Sequence, residues 1–161
     1  MDKFRKLLTY SDRFLPWLQS FPALITRITL GFGFYLTGQG KLAHIDNIIE
    51  FFKSLGVPFA QVQAPFVAHL EYYGGILLIA GLLTRPVSFL LGSTMVVALA
   101  TADKADFIAS WGTTSDKVPT EITAFAYLLL LMWLFVTGGG LVSLDALLSK
   151  LLGLRKAPEA E

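Results

Sequence analysis

Residues 21–40 read FPALITRITLGFGFYLTGQG, a run of 20 residues whose single charge is Arg27. A helix needs about 20 mostly apolar residues to cross the hydrocarbon core of a bilayer. Ser20, which stands directly before Phe21 and Pro22, is a residue type that caps helix N-termini, and proline suits the first turn of a helix. The stretch therefore predicts a membrane-spanning helix that begins after Ser20.

Three further apolar runs follow, at residues 64–83, 86–102 and 122–139, and Glu71 is the only charge within them. The chain is 54% hydrophobic and 16% charged, with a mean hydropathy of +0.61. One soluble core cannot bury that much apolar surface in a chain of this length. The sequence predicts an all-α fold, an integral membrane four-helix bundle. Since the run 86–102 is short and rich in serine and threonine, a tilted or partly interfacial helix stays open there.

The positions of these apolar runs divide the chain into three predicted parts. Residues 1–20 mix lysine and arginine with large apolar side chains, which predicts a basic amphipathic segment on the membrane surface. Residues 21–146 form the bundle domain, and residues 147–161 form a basic C-terminal tail. Ser143 predicts the cap of a short tail helix that ends near Gly153.

Residues 45–55, in the loop that follows the first predicted span, are predicted to form a short amphipathic helix. Its apolar side chains fall on one helical face and its polar side chains on the other, and the sequence Gly56-Val57-Pro58 ends it. An interfacial helix over the bundle and a loop helix packed on protein both fit this pattern. The apolar positions are Ile45, Ile48, Ile49, Phe52 and Leu55.

Lysine and arginine are distributed unequally over the two ends of the predicted bundle. Eight stand on the side of the termini and four on the opposite side, and basic residues concentrate on the cytoplasmic side. Both termini are therefore predicted to be cytoplasmic, in a multi-pass protein of the bacterial inner membrane. Charges interrupt residues 1–20, so no cleavable signal peptide is expected.

Composition also excludes several classes of function. The net charge of +1 gives no basic field for nucleic acid. Without any cysteine, the chain has no thiolate for a disulfide, an iron–sulfur cluster or a covalently bound haem. His44 and His69 lack further ligands at a suitable spacing, so no metal site is predicted. Any redox chemistry would need a dissociable cofactor or a partner protein.

A polar and small-residue face runs down the first predicted span. At about 100° per residue, its members lie close to one line along the helix. Such a face is expected to point into the bundle, where glycine allows another helix or a ligand to approach closely. These candidate binding residues are Arg27, Gly31, Phe34, Gly38 and Lys41.

Glu71 and Gly75 share a face of the second predicted span. A charge inside a bilayer costs roughly 2.5 to 3.5 kcal/mol, so Glu71 and Arg27 are expected to belong to one buried polar network. Lys41, at the outer end of the first span, is the competing partner for Glu71. The network either holds two helices in register or binds a polar head group or protons, and the sequence leaves both open.

Several motifs together resemble the DoxX family of small bacterial membrane proteins, over residues 22–146. They are RITLGFGF at 27–34, GQGKL at 38–42, LGVP at 55–58, EYYGG at 71–75, GLLTR at 81–85 and GGGLVSLD at 138–145. The resemblance implies a four-helix membrane fold and a link to quinone-dependent redox chemistry or to oxidative-stress complexes. Some members of the family contain cysteine and are associated with disulfides. This chain has no cysteine, which argues against that branch of the family.

These features predict a membrane subunit of a redox complex that binds a quinone or a similar amphipathic molecule, with no cofactor attached covalently. Its expected partners are the lipid bilayer and a soluble or membrane redox protein; self-association stays open. Two other functions remain: a non-enzymatic membrane anchor or assembly partner, and a transporter of a small hydrophobic solute.

Overall fold

The structure, a computed structural model, describes residues 2–112 and 116–153, with side chains described from Ser20 onward. This part of the chain contains seven α-helices, a single 3-10 turn at Pro119–Glu121 and no strand, which confirms the all-α prediction. The helices are α1 (Asp2–Ala43), α2 (Ile45–Ser54), α3 (Ala60–Ala80), α4 (Thr84–Ala100), α5 (Lys104–Ala109), α6 (Thr123–Thr137) and α7 (Leu144–Leu151).

Helix α1 begins far earlier than predicted. It starts at Asp2 and continues through Ser20 and Pro22, so the expected N-cap at Ser20 is wrong. The buried Ser20 hydroxyl instead accepts a hydrogen bond from the backbone N–H of Leu141, at 3.0 Å. The amphipathic character assigned to residues 1–20 concerns side chains that lie almost wholly outside the described ones, and it stays a prediction.

Helices α3, α4 and α6 correspond to the other three apolar runs. A tight turn joins α3 to α4, and in it Gly81 and Leu83 both take left-handed backbone conformations, with φ of 68° and 52°. This turn makes α3 and α4 a helical hairpin. Within the described ranges, no helix combines the length and the hydropathy that crossing a membrane requires.

The short helices α2 and α7 lie where the sequence predicted them. Helix α2 packs on α3 and ends before Gly56, whose φ is 73°. Ser143 caps α7, because its hydroxyl accepts a hydrogen bond from the Ala146 N–H at 3.1 Å. The tail residues 154–161 lie outside the described part. Helix α5, in the second loop, was not predicted.

The two helix pairs that pack most extensively are α1 with α3 and α4 with α6. Glycine sets the first of these contacts: a Cβ added at Gly31 would lie 2.7 Å from the Gly75 carbonyl oxygen, and one at Gly38 would overlap the Tyr72 backbone. The two pairs then enclose the larger of two apolar clusters of the described residues, and the smaller one lies around Leu99 and Ile122. The largest fully buried side chains of the larger cluster include Leu30, Phe34, Leu78, Leu91, Leu131 and Leu134.

Candidate functional site: a cavity that ends on a buried ion pair

A cavity of about 340 Å³ lies between α2, α3 and the second half of α4. Apolar side chains form most of its wall, with the charged groups of Lys41 and Glu71 as its strongest polar feature. Both the size and this composition are typical of small-molecule sites in proteins. The apolar walls include Ile48, Phe51, Phe52, Leu55, Phe66, Val67, Met95 and Val97.

Lys41 and Glu71 are hydrogen-bonded to each other at the cavity wall. The Lys41 ammonium donates to both carboxylate oxygens of Glu71, at 2.6 and 2.7 Å. The Glu71 side chain is 2% exposed and that of Lys41 is 28% exposed. An ammonium has three N–H donors, so one remains for a ligand or for water.

Helix geometry explains how these groups meet. Thr37 precedes Lys41 by one turn, which places both side chains on the same face of α1. The Thr37 hydroxyl lies 3.1 Å from Glu71 Oε2 and also 3.1 Å from the Phe34 carbonyl oxygen. Close packing at Gly38, between Thr37 and Lys41, brings the α3 backbone near enough for both contacts. The Glu71 carboxylate is therefore held from two positions on α1.

Arg27 does not take part in this arrangement, so the expected Arg27–Glu71 network is wrong. Its Nη2 donates instead to the backbone carbonyl oxygen of Val142, at 2.6 Å. The reason is distance along the helix, because Arg27 lies ten residues, or about 15 Å, before Thr37. Lys41, the competing partner in the sequence, is the residue that reaches Glu71.

The other four predicted site residues lie in helix contacts. Gly31, Gly38 and Gly75 set the approach of α1 to α3, and Phe34 belongs to the apolar core, where its ring centre lies 5.4 Å from that of Tyr127. Among the seven predicted residues, Lys41 and Glu71 line the cavity. Any role of the remaining five in binding stays a prediction.

The aromatic side chains that line the cavity are not among the seven binding residues predicted from the sequence. Phe51 and Phe52 come from α2, with ring centres 6.5 Å apart, and Phe66 comes from α3. The apolar face of α2 was the available signal, since a helix that buries such a face must place it against another apolar surface. The sequence did not show which surface that would be.

Asp145 makes hydrogen bonds to the start of α4 that the sequence did not predict. Its carboxylate accepts the backbone N–H groups of Leu83 and Thr84, at 2.7 and 2.9 Å, and its own N–H donates to the Gly81 carbonyl oxygen at 2.9 Å. Free N–H groups at a helix start need an acceptor, so Asp145 caps α4 from a distant part of the chain.

Comparison with known proteins identifies the family to which this chain belongs. The DoxX family model matches residues 23–104, and the chain belongs to the DoxX family. It is 32% identical over 130 residues to the "Putative oxidoreductase CatD" of Bacillus subtilis (strain 168), covering 79% of this chain and 87% of that protein.

Two relatives from Escherichia coli (strain K12) are named as inner membrane proteins. "Inner membrane protein YphA" is 30% identical over 130 residues, which cover 76% of this chain and 86% of the relative. "Inner membrane protein YqjF" is 30% identical over 135 residues, which cover 83% and 96%. No solved structure matches the chain significantly. The family assignment made from the sequence motifs is thus confirmed.

Proposed function

We propose that this chain is a multi-pass protein of the inner membrane, with both termini cytoplasmic, that holds an uncharged amphipathic molecule such as a quinone. The cavity that ends on Lys41 and Glu71 carries this proposal. The chain would serve as the membrane subunit of a redox complex. The names of its relatives, two inner membrane proteins and one "Putative oxidoreductase", are in agreement with this role.

The outer surface of the bundle supports a place in the membrane. On α1, large apolar side chains three or four residues apart form one exposed stripe, and all of them are at least 46% exposed. Contiguous apolar surface of this kind marks contact with lipid or with another protein. The stripe consists of Phe21, Ile25, Ile28, Phe32 and Leu36.

The charge balance of the cavity favours an uncharged ligand. Lys41 and Glu71 bear opposite charges and bond to each other, so the pair has no net charge. An anionic ligand, such as a fatty acid, would have to compete with the carboxylate for the ammonium group, and separating buried partners is costly. A neutral head group can use the remaining donor and acceptor positions with the pair intact.

The chemistry of the pair suits both redox forms of a quinone. The free N–H of Lys41 can donate to a carbonyl oxygen, and the Glu71 carboxylate can accept a hydrogen bond from a hydroxyl group. Phe51, Phe52 and Phe66 offer apolar faces for a ring. A bound quinone would supply the capacity to take up electrons and protons from a partner protein. The residues of this chain would orient its head group and exclude water.

Extraction of ligands that co-purify with the protein tests this function. Matched valine variants on α4 supply the control, because Val97 lines the cavity and its neighbour Val96 faces a groove between α4 and α6. Mass spectrometry of organic extracts is expected to find quinone with wild-type protein and Val96→Trp, and far less with Val97→Trp. Bulk phospholipid alone in the wild-type extract would contradict the proposal and leave the anchor and transporter functions.

A further inference from the structure

The end of the bundle remote from the cavity contains two arginine side chains that bracket the link between α6 and α7. Arg85 Nη2 donates to the Val136 carbonyl oxygen at 3.2 Å, on one side of this link. Arg27 Nη2 donates to the Val142 carbonyl oxygen at 2.6 Å, on the other side. Arg85 therefore lies against Gly138, and Arg27 lies between Gly81 and Val142.

Arg27 keeps hydrogen-bonding capacity that no described residue uses. Its side chain is 1% exposed, and its Nε and Nη1 atoms have no hydrogen-bond partner in the described part of the chain. The same holds for Oγ1 of Thr84, which is 0% exposed. Buried N–H donors and hydroxyl groups without a hydrogen-bond partner are costly, so Nε and Nη1 of Arg27 and Oγ1 of Thr84 need one.

A groove of about 780 Å³ opens directly beside these atoms. Gly139 and Ser143 line it, and a Cβ added at Gly139 would lie 2.7 Å from Thr84 Oγ1 and 3.0 Å from Ser143 Oγ. A Cβ at Gly81 would overlap Arg27 Nη1 and lie 2.8 Å from the Ser143 Cβ. Thr84 Oγ1 thus lies behind Gly139 in the groove wall. Arg27 Nη1 lies behind Gly81, which contacts Ser143 of that wall.

The charge of this groove, which we name the arginine groove, favours an anion. Arg85 lines it, Arg27 lies behind it, and Asp145 is the acidic side chain in its wall. Both Asp145 oxygens already accept backbone N–H groups, so that carboxylate is engaged with the start of α4. Among the side chains that the structure describes, one carboxylate therefore faces two guanidinium groups.

We propose that the arginine groove binds a phosphate group, held by Arg27 and Arg85. Guanidinium groups match phosphate oxygens in geometry, and a phosphate has enough oxygens to accept from Arg27, Arg85 and Thr84 together. Trp133 and Leu141 add an apolar wall, as the acyl chains of a phospholipid would require. The phosphate belongs either to an anionic lipid head group or to a free ion. This site is separate from the cavity of Lys41 and Glu71.

Thermal unfolding of delipidated protein in detergent tests the site. The additions are phosphatidylglycerol in mixed micelles, phosphatidylcholine in mixed micelles, and inorganic phosphate against sodium chloride of equal ionic strength. Arg85→Gln is the main variant, because Arg85 is exposed and its loss leaves the core intact. Lys104→Gln, an exposed lysine just beyond the far end of α4, is the matched control. Arg27→Lys tests the buried cation.

A rise in melting temperature with phosphatidylglycerol alone, lost in Arg85→Gln and kept in Lys104→Gln, is expected if the phosphate belongs to a lipid. An equal rise with inorganic phosphate, with the same loss, identifies a soluble phosphate as the occupant. Should Arg27→Lys fail to fold, the pair of Arg85→Gln and Lys104→Gln still decides. The absence of any rise in wild-type protein, or a rise that both variants keep, overturns the proposal.

Discussion

Lys41 donates to both carboxylate oxygens of Glu71, and this contact joins α1 to α3 at the wall of the cavity. The two partners differ in exposure, because Glu71 is 2% exposed and Lys41 is 28% exposed. That difference determines what the loss of either partner costs. A carboxylate left alone stays buried, whereas an ammonium left alone can reach water.

Lys41→Met is therefore expected to destabilise the protein more than Glu71→Leu does. Stranding the buried carboxylate should cost about 3 kcal/mol, at the lower end of the range for a broken buried pair. Removing the carboxylate should cost about 1 kcal/mol, since Lys41 keeps contact with solvent. Denaturant unfolding in detergent measures both values. The double variant should recover much of the loss, and equal costs for the two single variants would contradict this asymmetry.

Arg27 and Glu71 are expected to act independently. Their partners differ, and ten residues of α1, about 15 Å, separate Arg27 from Thr37, which contacts Glu71. The unfolding free-energy changes of Arg27→Leu and Glu71→Leu should therefore add to within about 0.5 kcal/mol in the double variant. A coupling of several kcal/mol in this double-mutant cycle would restore the single network that the sequence suggested.

Gly38 and Gly40 offer a matched pair on α1. A Cβ at Gly38 would overlap the Tyr72 backbone, whereas one at Gly40 would meet no atom within 4 Å. Gly38→Ala should force α1 and α3 apart, at a cost of about 1 to 3 kcal/mol. Gly40→Ala should be neutral or stabilise the helix by up to about 1 kcal/mol. Melting temperatures in detergent report both, and similar tolerance at the two positions would mean that α1 and α3 do not pack closely here.

Asp145 should stabilise the start of α4 although it lies about 60 residues further along the chain. Asp145→Ala removes the acceptor for two backbone N–H groups, so a loss of about 1 to 2 kcal/mol is expected. Asp145→Asn keeps one acceptor oxygen and should lose less. Asp116→Ala, at an exposed loop position, is the control. Unfolding free energies that do not distinguish Asp145→Ala from Asp116→Ala would exclude this cap.

Local sequence patterns predicted the parts of the fold that depend on residues close together in the chain. The apolar runs, the amphipathic face of α2 and the Ser143 cap follow from residues a few positions apart, and so does the glycine face of α1. The sequence analysis named two partners for Glu71, Arg27 and the competing Lys41. The depth of each charge along its helix, at about 1.5 Å per residue, was the signal that favoured Lys41.

The remaining contacts depend on which elements meet in space. Arg27 bonds to a backbone carbonyl at Val142, and Asp145 bonds to backbone N–H groups at Leu83 and Thr84. Backbone groups occur at nearly every residue, so no side-chain pattern marks the one that will be used. The cavity has the same origin, because its wall forms only when α2 packs beside α3 and α4.

Binding of a soluble ubiquinone analogue, such as decylubiquinone, to the purified protein tests the role of the cavity most directly. Equilibrium titration should show saturable binding to wild-type protein and to Val96→Trp. It should show at least tenfold weaker binding to Val97→Trp, because the larger side chain fills the cavity, and a tenfold change corresponds to about 1.4 kcal/mol. Absent binding in wild-type protein, or equal affinity in the two variants, would contradict a ligand site at Lys41 and Glu71.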